Sequence, residues 1–123
     1  MTKINWISLE TVEQLDSLIK NSHKHPVLIY NPSTRCGISS LVHSRLERAW
    51  DELPVKIDCY FLDLIAYRDI SDQVEQIFQV RHESPQTLLI IDGRCKYHAS
   101  HMGISFGSIR KALDDTGTLT FVR

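Results

Sequence analysis

The sequence predicts an α/β fold in which a central mixed sheet is flanked by helices. Apolar runs of strand length alternate along the chain with stretches whose apolar residues recur every three or four positions, as in amphipathic helices. The dipeptide Asp92–Gly93 stands between two strand-like runs and is typical of a β-hairpin. No internal repeat, low-complexity tract or linker interrupts the 123 residues, so we expect a single domain over residues 1–123.

The first three predicted elements are a strand, a helix and a second strand. Residues 4–9 form the first strand candidate, and a helix follows to about Asn21. Ser8 or Thr11 would cap this helix, because either hydroxyl can accept a backbone N–H bond. The continuous apolar run over residues 26–31 then meets turn residues, which is typical of a buried parallel strand.

The middle of the chain adds a long helix, a strand and a short helix. An apolar stripe predicts the long helix from about Cys36 to Trp50, and residues 55–64 read as the next strand. The stripe of the long helix consists of Ile38, Leu41, Val42, Leu46 and Trp50. The short helix is marked by Ile70, Val74, Ile77 and Phe78.

The last part of the chain supplies a hairpin and a final helix. Residues 87–92 and 95–100 form the two predicted hairpin strands, and Phe106, Ile109 and Leu113 mark the helix. The predicted order is therefore β-α-β-α-β-α-β-β-α. Alternating strands and helices imply parallel pairing with right-handed crossovers, to which the hairpin adds an antiparallel edge. This topology is typical of the thioredoxin-like fold.

Composition and charge exclude several classes of function. A net charge of −1 gives no electrostatic reason to expect nucleic acid or an anionic membrane as partner. The start "MTKINWISLE" lacks the apolar core of a signal peptide, and no apolar run approaches the roughly 20 residues that span a bilayer. We therefore expect a soluble, cytoplasmic protein. Its three cysteines argue against both a disulfide framework and a four-cysteine zinc site.

Cys36 lies in "YNPSTRCGISS", residues 30–40, where a predicted strand gives way to a helix. In the first turn of a helix its sulfur would face unpaired backbone N–H groups and the positive end of the helix dipole, which favour thiolate over thiol. Arg35, the preceding residue, would add positive potential if its side chain turns toward the sulfur, and the alternative is a side chain that points away. An exposed thiolate is the attacking species in thiol–disulfide exchange. The alternative is a buried structural cysteine, but the polar, turn-forming residues before the helix favour a reactive thiol.

Ser39 occupies the position of the second cysteine in a Cys-x-x-Cys motif. Its hydroxyl cannot resolve a mixed disulfide, but it would donate a hydrogen bond to the Cys36 thiolate and so favour the charged form. An ordinary first-turn serine that caps or solvates the helix is the alternative. The sequence does not decide between these two roles.

The second candidate stretch is "RHESPQTLLIIDG", residues 81–93, in which Pro85 comes directly before a buried strand. Thioredoxin-like folds hold a cis proline at this place. A cis Ser84–Pro85 bond would expose the Ser84 backbone beside the sulfur, where it can pair with an extended thiol substrate. The alternative is a trans proline that only opens the strand.

The other two cysteines are predicted to be structural. Cys59 lies within a strand pattern and is expected in the core. Cys95 follows the hairpin turn on an edge strand, where it would be partly exposed and, by the topology, not close to Cys36.

Three histidines are also expected to have no catalytic role. His98 and His101 in "YHASHMGIS" are spaced for metal coordination, but two ligands do not make a site, so capping or packing is expected. His43 falls on the polar face of the cysteine helix and is expected to be solvated.

The segments "YNPSTRCGIS", "VRHESPQTLLIIDG" and "YHASHMGIS", with the order of elements, resemble the monothiol bacilliredoxin family. This family comprises thioredoxin-like proteins of the YtxJ type, first called general-stress proteins. The resemblance runs over nearly the whole chain. One position departs from the family pattern: Gly37 follows Cys36 where proline is expected, and glycine loosens the first helical turn.

The resemblance implies a role in the bacillithiol system, in which such proteins remove bacillithiol from mixed disulfides on client proteins. Cys36 would be the attacking thiol, Ser39 the non-cysteine end of a Cys-x-x-Ser motif, and Ser84–Pro85 the backbone platform beside it. The predicted site residues are the catalytic Cys36, the thiolate-supporting Arg35, Gly37 and Ser39, and the substrate-binding Thr34, Ser84 and Pro85.

The sequence therefore predicts a cytoplasmic monothiol thiol–disulfide oxidoreductase. Its expected partners are S-thiolated client proteins and a low-molecular-weight thiol, bacillithiol or a similar one, as co-substrate. We expect no tightly bound cofactor, no metal, no nucleic acid and no membrane. The alternative is a non-catalytic thioredoxin-like module that binds a partner, with Cys36 as a redox-sensing modification site. The short chain disfavours a glutathione transferase, and the lack of a suitable arginine before Arg45 disfavours an arsenate reductase.

Overall fold

The elements follow one another in the order predicted from the sequence. The structure, a computed structural model, describes residues 4–32, 37–51, 53, 55–81 and 83–117, and along 37–41 it describes the backbone only. The elements are β1 (Trp6–Ser8), α1 (Val12–Asn21), β2 (Val27–Asn31), α2 (Gly37–Ala49), β3 (Asp58–Phe61), α3 (Arg68–Phe78), β4 (Gln86–Ile91), β5 (Arg94–Ser100) and α4 (Phe106–Asp115). The 3-10 turn His101–Gly103 connects β5 to α4.

Among the described residues, five strands form one mixed sheet in the order β1-β3-β2-β4-β5. β1, β3 and β2 are parallel, whereas β4 is antiparallel to both β2 and β5. The predicted parallel pairing was therefore wrong for β4, which runs opposite to the strand beside it. The connection after α3 permits this direction, because its seven residues 79–85 can span up to roughly 25 Å when extended, which exceeds the length of α3.

Strand β3 covers Asp58–Phe61 and is shorter than the predicted 55–64. Its length is set by its two neighbours, because Asp58 pairs with Val27 at the start of β2 and Phe61 pairs with Ser8 at the end of β1. Strand length here depends on long-range pairing rather than on the local apolar run.

Two local features predicted from the sequence, a helix cap and a hairpin turn, are present in the structure. Thr11 caps α1 in a capping box: its side chain accepts a bond from Gln14 N, and the Gln14 side chain accepts one from Thr11 N. Asp92 and Gly93 have φ of 54° and 75°, and two successive positive φ values are typical of a two-residue hairpin turn.

The core lies on both faces of the sheet. Along β2, Leu28 and Tyr30 face the side covered by α2 and α4, whereas Val27 and Ile29 face α1 and α3. All four are fully buried, and burying an apolar side chain of this size contributes roughly 1.5–3 kcal/mol. The helix predicted from Phe106, Ile109 and Leu113 is confirmed, and all three residues are buried.

On α3, Ile70, Val74 and Phe78 are buried, whereas Ile77 is 46% exposed. The buried arc of this helix runs from Ile70 through Val74 and Phe78 to Ser71. At 100° per residue, Ile77 lies about 20° outside the Ile70 edge of this arc. The predicted short helix is confirmed and includes Ile77, which lies at the margin of its buried face.

Within the described ranges, no helix is both long enough and apolar enough to cross a membrane.

Candidate functional site

The candidate site lies at the end of the sheet where the central strand β2 ends. Asn31, the last residue of β2, pairs with Gln86, the first residue of β4, and Gln86 pairs with Ser100, the last residue of β5. These three residues form one row across the sheet. The chain leaves this row through Pro32 toward Cys36, and α2 begins at the next residue, Gly37. The strand–turn–helix arrangement predicted around the cysteine is therefore confirmed in its two flanking elements.

Several predicted site residues lie outside the part of the chain that the structure describes. Thr34, Arg35 and Cys36 belong to this group, so their roles stay predictions. Gly37 is the first residue of α2. Ser39 lies within α2, but its side chain is outside the described part, so its hydrogen bond to Cys36 also stays a prediction.

The Ser84–Pro85 peptide bond is cis, as predicted. Pro85 is buried and leads directly into β4, whose first residue lies opposite Asn31. Ser84 Oγ is also buried, and it has no hydrogen-bond partner among the residues that the structure describes. The sheet register thus brings Ser84–Pro85 next to the strand end from which the chain runs on to Cys36.

Side chains from the same row hold the segment that precedes Ser84. Asn31 Nδ2 donates to the Glu83 carbonyl at 3.5 Å, and Gln86 Nε2 donates to the Arg81 carbonyl at 2.9 Å. Both residues are 2% exposed. Sequence reasoning missed them, although each stands at the strand end next to a predicted site stretch.

Helix α2 is anchored to the rest of the fold from its middle to its end. Val42, Leu46 and Trp50 are buried, and the Trp50 ring lies 4.9 Å from that of Phe106, centroid to centroid. Arg45 Nη2 donates to the Ile104 carbonyl at 3.5 Å. These contacts fix the helix that begins directly after Cys36 against α4 and the chain that precedes it.

His43, expected to be solvated, is only partly so. Its ring stacks on Trp6 with centroids 5.8 Å apart and lies 5.5 Å from the Tyr30 ring. Its Nε2 is 3.1 Å from one oxygen of Glu47, whose other oxygen accepts a bond from Trp6 Nε1 at 3.1 Å. The side chain is only 31% exposed, because Trp6 reaches α2 from the edge strand β1. This contact joins residues 37 positions apart and leaves no signal in the local pattern.

Cys59 is a core residue, as predicted. It is 4% exposed, and burial, with a smaller contribution from the charge of Asp58, raises the pKa of its thiol to about 12. It therefore stays protonated at neutral pH. Because the thiolate is the reactive form, Cys59 cannot serve as a second thiol under these conditions.

Cys95 is partly buried, in agreement with its predicted place on the edge strand β5. Burial raises the pKa of its thiol, and its Sγ donates to the Tyr97 carbonyl at 3.4 Å. Cys95 is the second residue of β5, whereas Ser100 is the last, so the two are roughly 17 Å apart along the strand. Cys95 thus lies at the far end of the sheet from the candidate site.

The raised pKa of Cys59 predicts a loss of stability at alkaline pH. Below pH 9 the thiol is protonated in both folded and unfolded chains. Between pH 9 and about 12 only the unfolded chain releases the proton, so the free energy of unfolding falls as pH rises. From this group alone we expect a loss of about 2 kcal/mol by roughly pH 10.5.

This expectation is checked by urea unfolding of the reduced wild-type protein and of Cys59→Ala at several pH values between 8 and 10.5. Other groups titrate alike in both proteins, so the difference between the two curves isolates Cys59. The wild-type protein should lose more stability than the variant over this range. Parallel curves would contradict the assignment.

Comparison with known proteins identifies the family of this chain and its fold. The family model described as monothiol bacilliredoxin BrxC matches residues 7–109 of this chain. A solved structure of a protein assigned as an oxidoreductase with a thioredoxin fold is 25% identical, has a TM-score of 0.73, and is matched over 87% of this chain and 92% of that chain. Thioredoxin from Trypanosoma brucei brucei is similar in fold, with a TM-score of 0.70 at 17% identity over 93% of this chain and 92% of that chain. The predicted thioredoxin-like fold is thus confirmed.

Proposed function

The chain belongs to the monothiol bacilliredoxin family, a thioredoxin-like group with a thiol redox role, and from this we propose a specific activity. The protein is a cytoplasmic monothiol oxidoreductase that removes bacillithiol, or a similar low-molecular-weight thiol, from mixed disulfides on client proteins. One observation carries the proposal: β2 ends and α2 begins on either side of the Cys36 segment, and the sheet register sets Ser84–Pro85 beside that strand end.

The proposed reaction begins when the Cys36 thiolate attacks the bacillithiol sulfur of a client mixed disulfide. A Cys36–S–S–bacillithiol bond forms as the client S–S bond breaks, and the client sulfur leaves as a thiolate that takes a proton from water. A free low-molecular-weight thiolate, or a dedicated reductase, then attacks the bacillithiol sulfur. This second exchange releases the small thiol as a disulfide and restores the Cys36 thiolate.

The flanking residues have proposed roles in this reaction. The start of α2 and Arg35 stabilise the Cys36 thiolate, and Ser39 donates a hydrogen bond to it. Gly37 loosens the first helical turn beside the sulfur. Thr34 and the backbone of Ser84–Pro85 receive the substrate. The protonated, buried Cys59 and the remote Cys95 support a mechanism in which the second thiol comes from outside the chain.

Intact-mass measurement tests which small thiol the protein accepts. The reduced protein is incubated separately with the disulfides of bacillithiol, glutathione and cysteine, and the added mass is located by peptide mapping. We expect one bacillithiol added at Cys36, faster than either of the other thiols. A faster addition of glutathione or cysteine would change the co-substrate, and addition at Cys59 or Cys95 would contradict the proposed mechanism.

A further inference from the structure

Glu83 links the Ser84–Pro85 segment to the end of β5. Ser100 Oγ donates to Glu83 Oε1 at 2.9 Å, and His101 Nε2 lies 3.3 Å from the same oxygen. The His101 backbone N–H donates to the Pro85 carbonyl at 3.0 Å. Ser100 and His101 thus hold the segment on both sides, through the carboxylate before Ser84 and through the carbonyl of Pro85.

The backbone of His101 supports a specific role for its side chain. Its φ is 54°, in the left-handed region that glycine adopts freely and other residues adopt at a cost of about 1 kcal/mol or more. A glycine would keep the backbone bond to Pro85 without this cost. The imidazole of His101 adds the contact with Glu83, which a glycine could not make.

The contact between Glu83 and His101 is too exposed to matter much for global stability. The side chain of Glu83 is 43% exposed and that of His101 is 56% exposed. Ion pairs at such positions contribute about 0–1 kcal/mol to stability. The rate of a reaction is more sensitive to the position of the reacting groups, because a misplacement of about 1 Å at a reacting centre lowers the rate up to about a hundredfold. Loss of a contact of this size can therefore leave the fold intact and still slow exchange severalfold.

We infer that Glu83 and His101 are positioning residues for thiol exchange. The Glu83 carboxylate, bound by Ser100 and His101, fixes Ser84–Pro85 against the end of β2 and so sets where the substrate disulfide lies relative to Cys36. This inference rests on the proposed function.

The test compares Glu83→Ala with Glu83→Gln, which keeps an oxygen that accepts bonds from Ser100 and His101. Each variant is assayed for removal of bacillithiol from a client mixed disulfide and, separately, for alkylation of Cys36 by iodoacetamide, which requires no positioned disulfide. In Glu83→Ala we expect kcat/KM for exchange to fall about threefold to fivefold, the factor that corresponds to losing a contact of up to about 1 kcal/mol, with alkylation within about twofold of wild type. Glu83→Gln should restore most of the lost exchange activity.

Two further variants sharpen the test. His101→Gly keeps the left-handed backbone and removes the imidazole, so it should also slow exchange. The double variant Glu83→Ala/His101→Gly should lose little more exchange activity than Glu83→Ala alone, because both substitutions remove the same contact. The matched control is Asp115→Ala, which breaks the exposed Lys111–Asp115 pair on α4 and should leave exchange unchanged.

Several results would overturn the inference. These are wild-type exchange in Glu83→Ala, equal losses in the alanine and glutamine variants, or a parallel fall in alkylation of Cys36. If the wild-type protein itself transfers no thiol, the proposed function fails and this inference fails with it. An active wild-type protein with an equally active Glu83→Ala variant refutes the positioning role alone.

Discussion

Replacing Cys36 by serine should reduce release of the client thiol to the background rate of uncatalysed exchange. A serine hydroxyl is not ionised near neutral pH and cannot form the mixed disulfide on which the reaction depends. The measurement is the rate of client thiol release from an S-bacillithiolated protein, followed by mass spectrometry under identical conditions for wild type and variant.

The other cysteines supply the controls for this prediction. Cys95→Ser should keep nearly full activity, because Cys95 lies at the end of β5 remote from the candidate site. Cys59→Ala should also stay active, since the pKa of the Cys59 thiol, about 12, keeps that sulfur protonated in the wild-type protein. Full activity in Cys36→Ser would exclude Cys36 as the nucleophile.

Truncating Ile70 should produce the largest loss of stability predicted here. Ile70 is 6% exposed and packs in the cluster between the sheet and the helices α1 and α3. Ile70→Ala removes buried apolar volume and leaves a cavity, which costs about 2–5 kcal/mol. Since domains of this size are stable by only about 5–15 kcal/mol, this is a large fraction of the total.

Ile77→Ala is the matched control, because it makes the same substitution on the same helix at a residue that is 46% exposed. We expect its free energy of unfolding to stay within about 0.5 kcal/mol of wild type. Equilibrium urea unfolding of both variants measures the difference. Equal losses in the two would contradict the assigned burial of α3.

The order of elements could be predicted because its signals are local. The apolar spacing of Phe106, Ile109 and Leu113, the cap at Thr11 and the turn at Asp92–Gly93 each depend on a few neighbouring residues, and each is present in the structure. The candidate stretch around Cys36 was found in the same way, from turn residues between an apolar strand and an amphipathic helix.

Features that depend on distant residues could not be predicted. The direction of β4 depends on its pairing with β2 and β5, and the partial burial of His43 depends on Trp6 on a different element. The contact of Glu83 with Ser100 and His101 joins two of the stretches that resemble the family, yet only the sheet register brings them together. Local periodicity carries no information about such pairs.

Turnover is the most direct test of the proposed activity, because it separates an enzyme from a module that is modified once. The protein is mixed with a large excess of S-bacillithiolated client and free bacillithiol, and the amount of client thiol released is compared with the amount of protein. We predict that many equivalents of client thiol are released for each Cys36. Release that stops at one equivalent, with bacillithiol retained on Cys36, would contradict catalysis and favour a redox-sensing module.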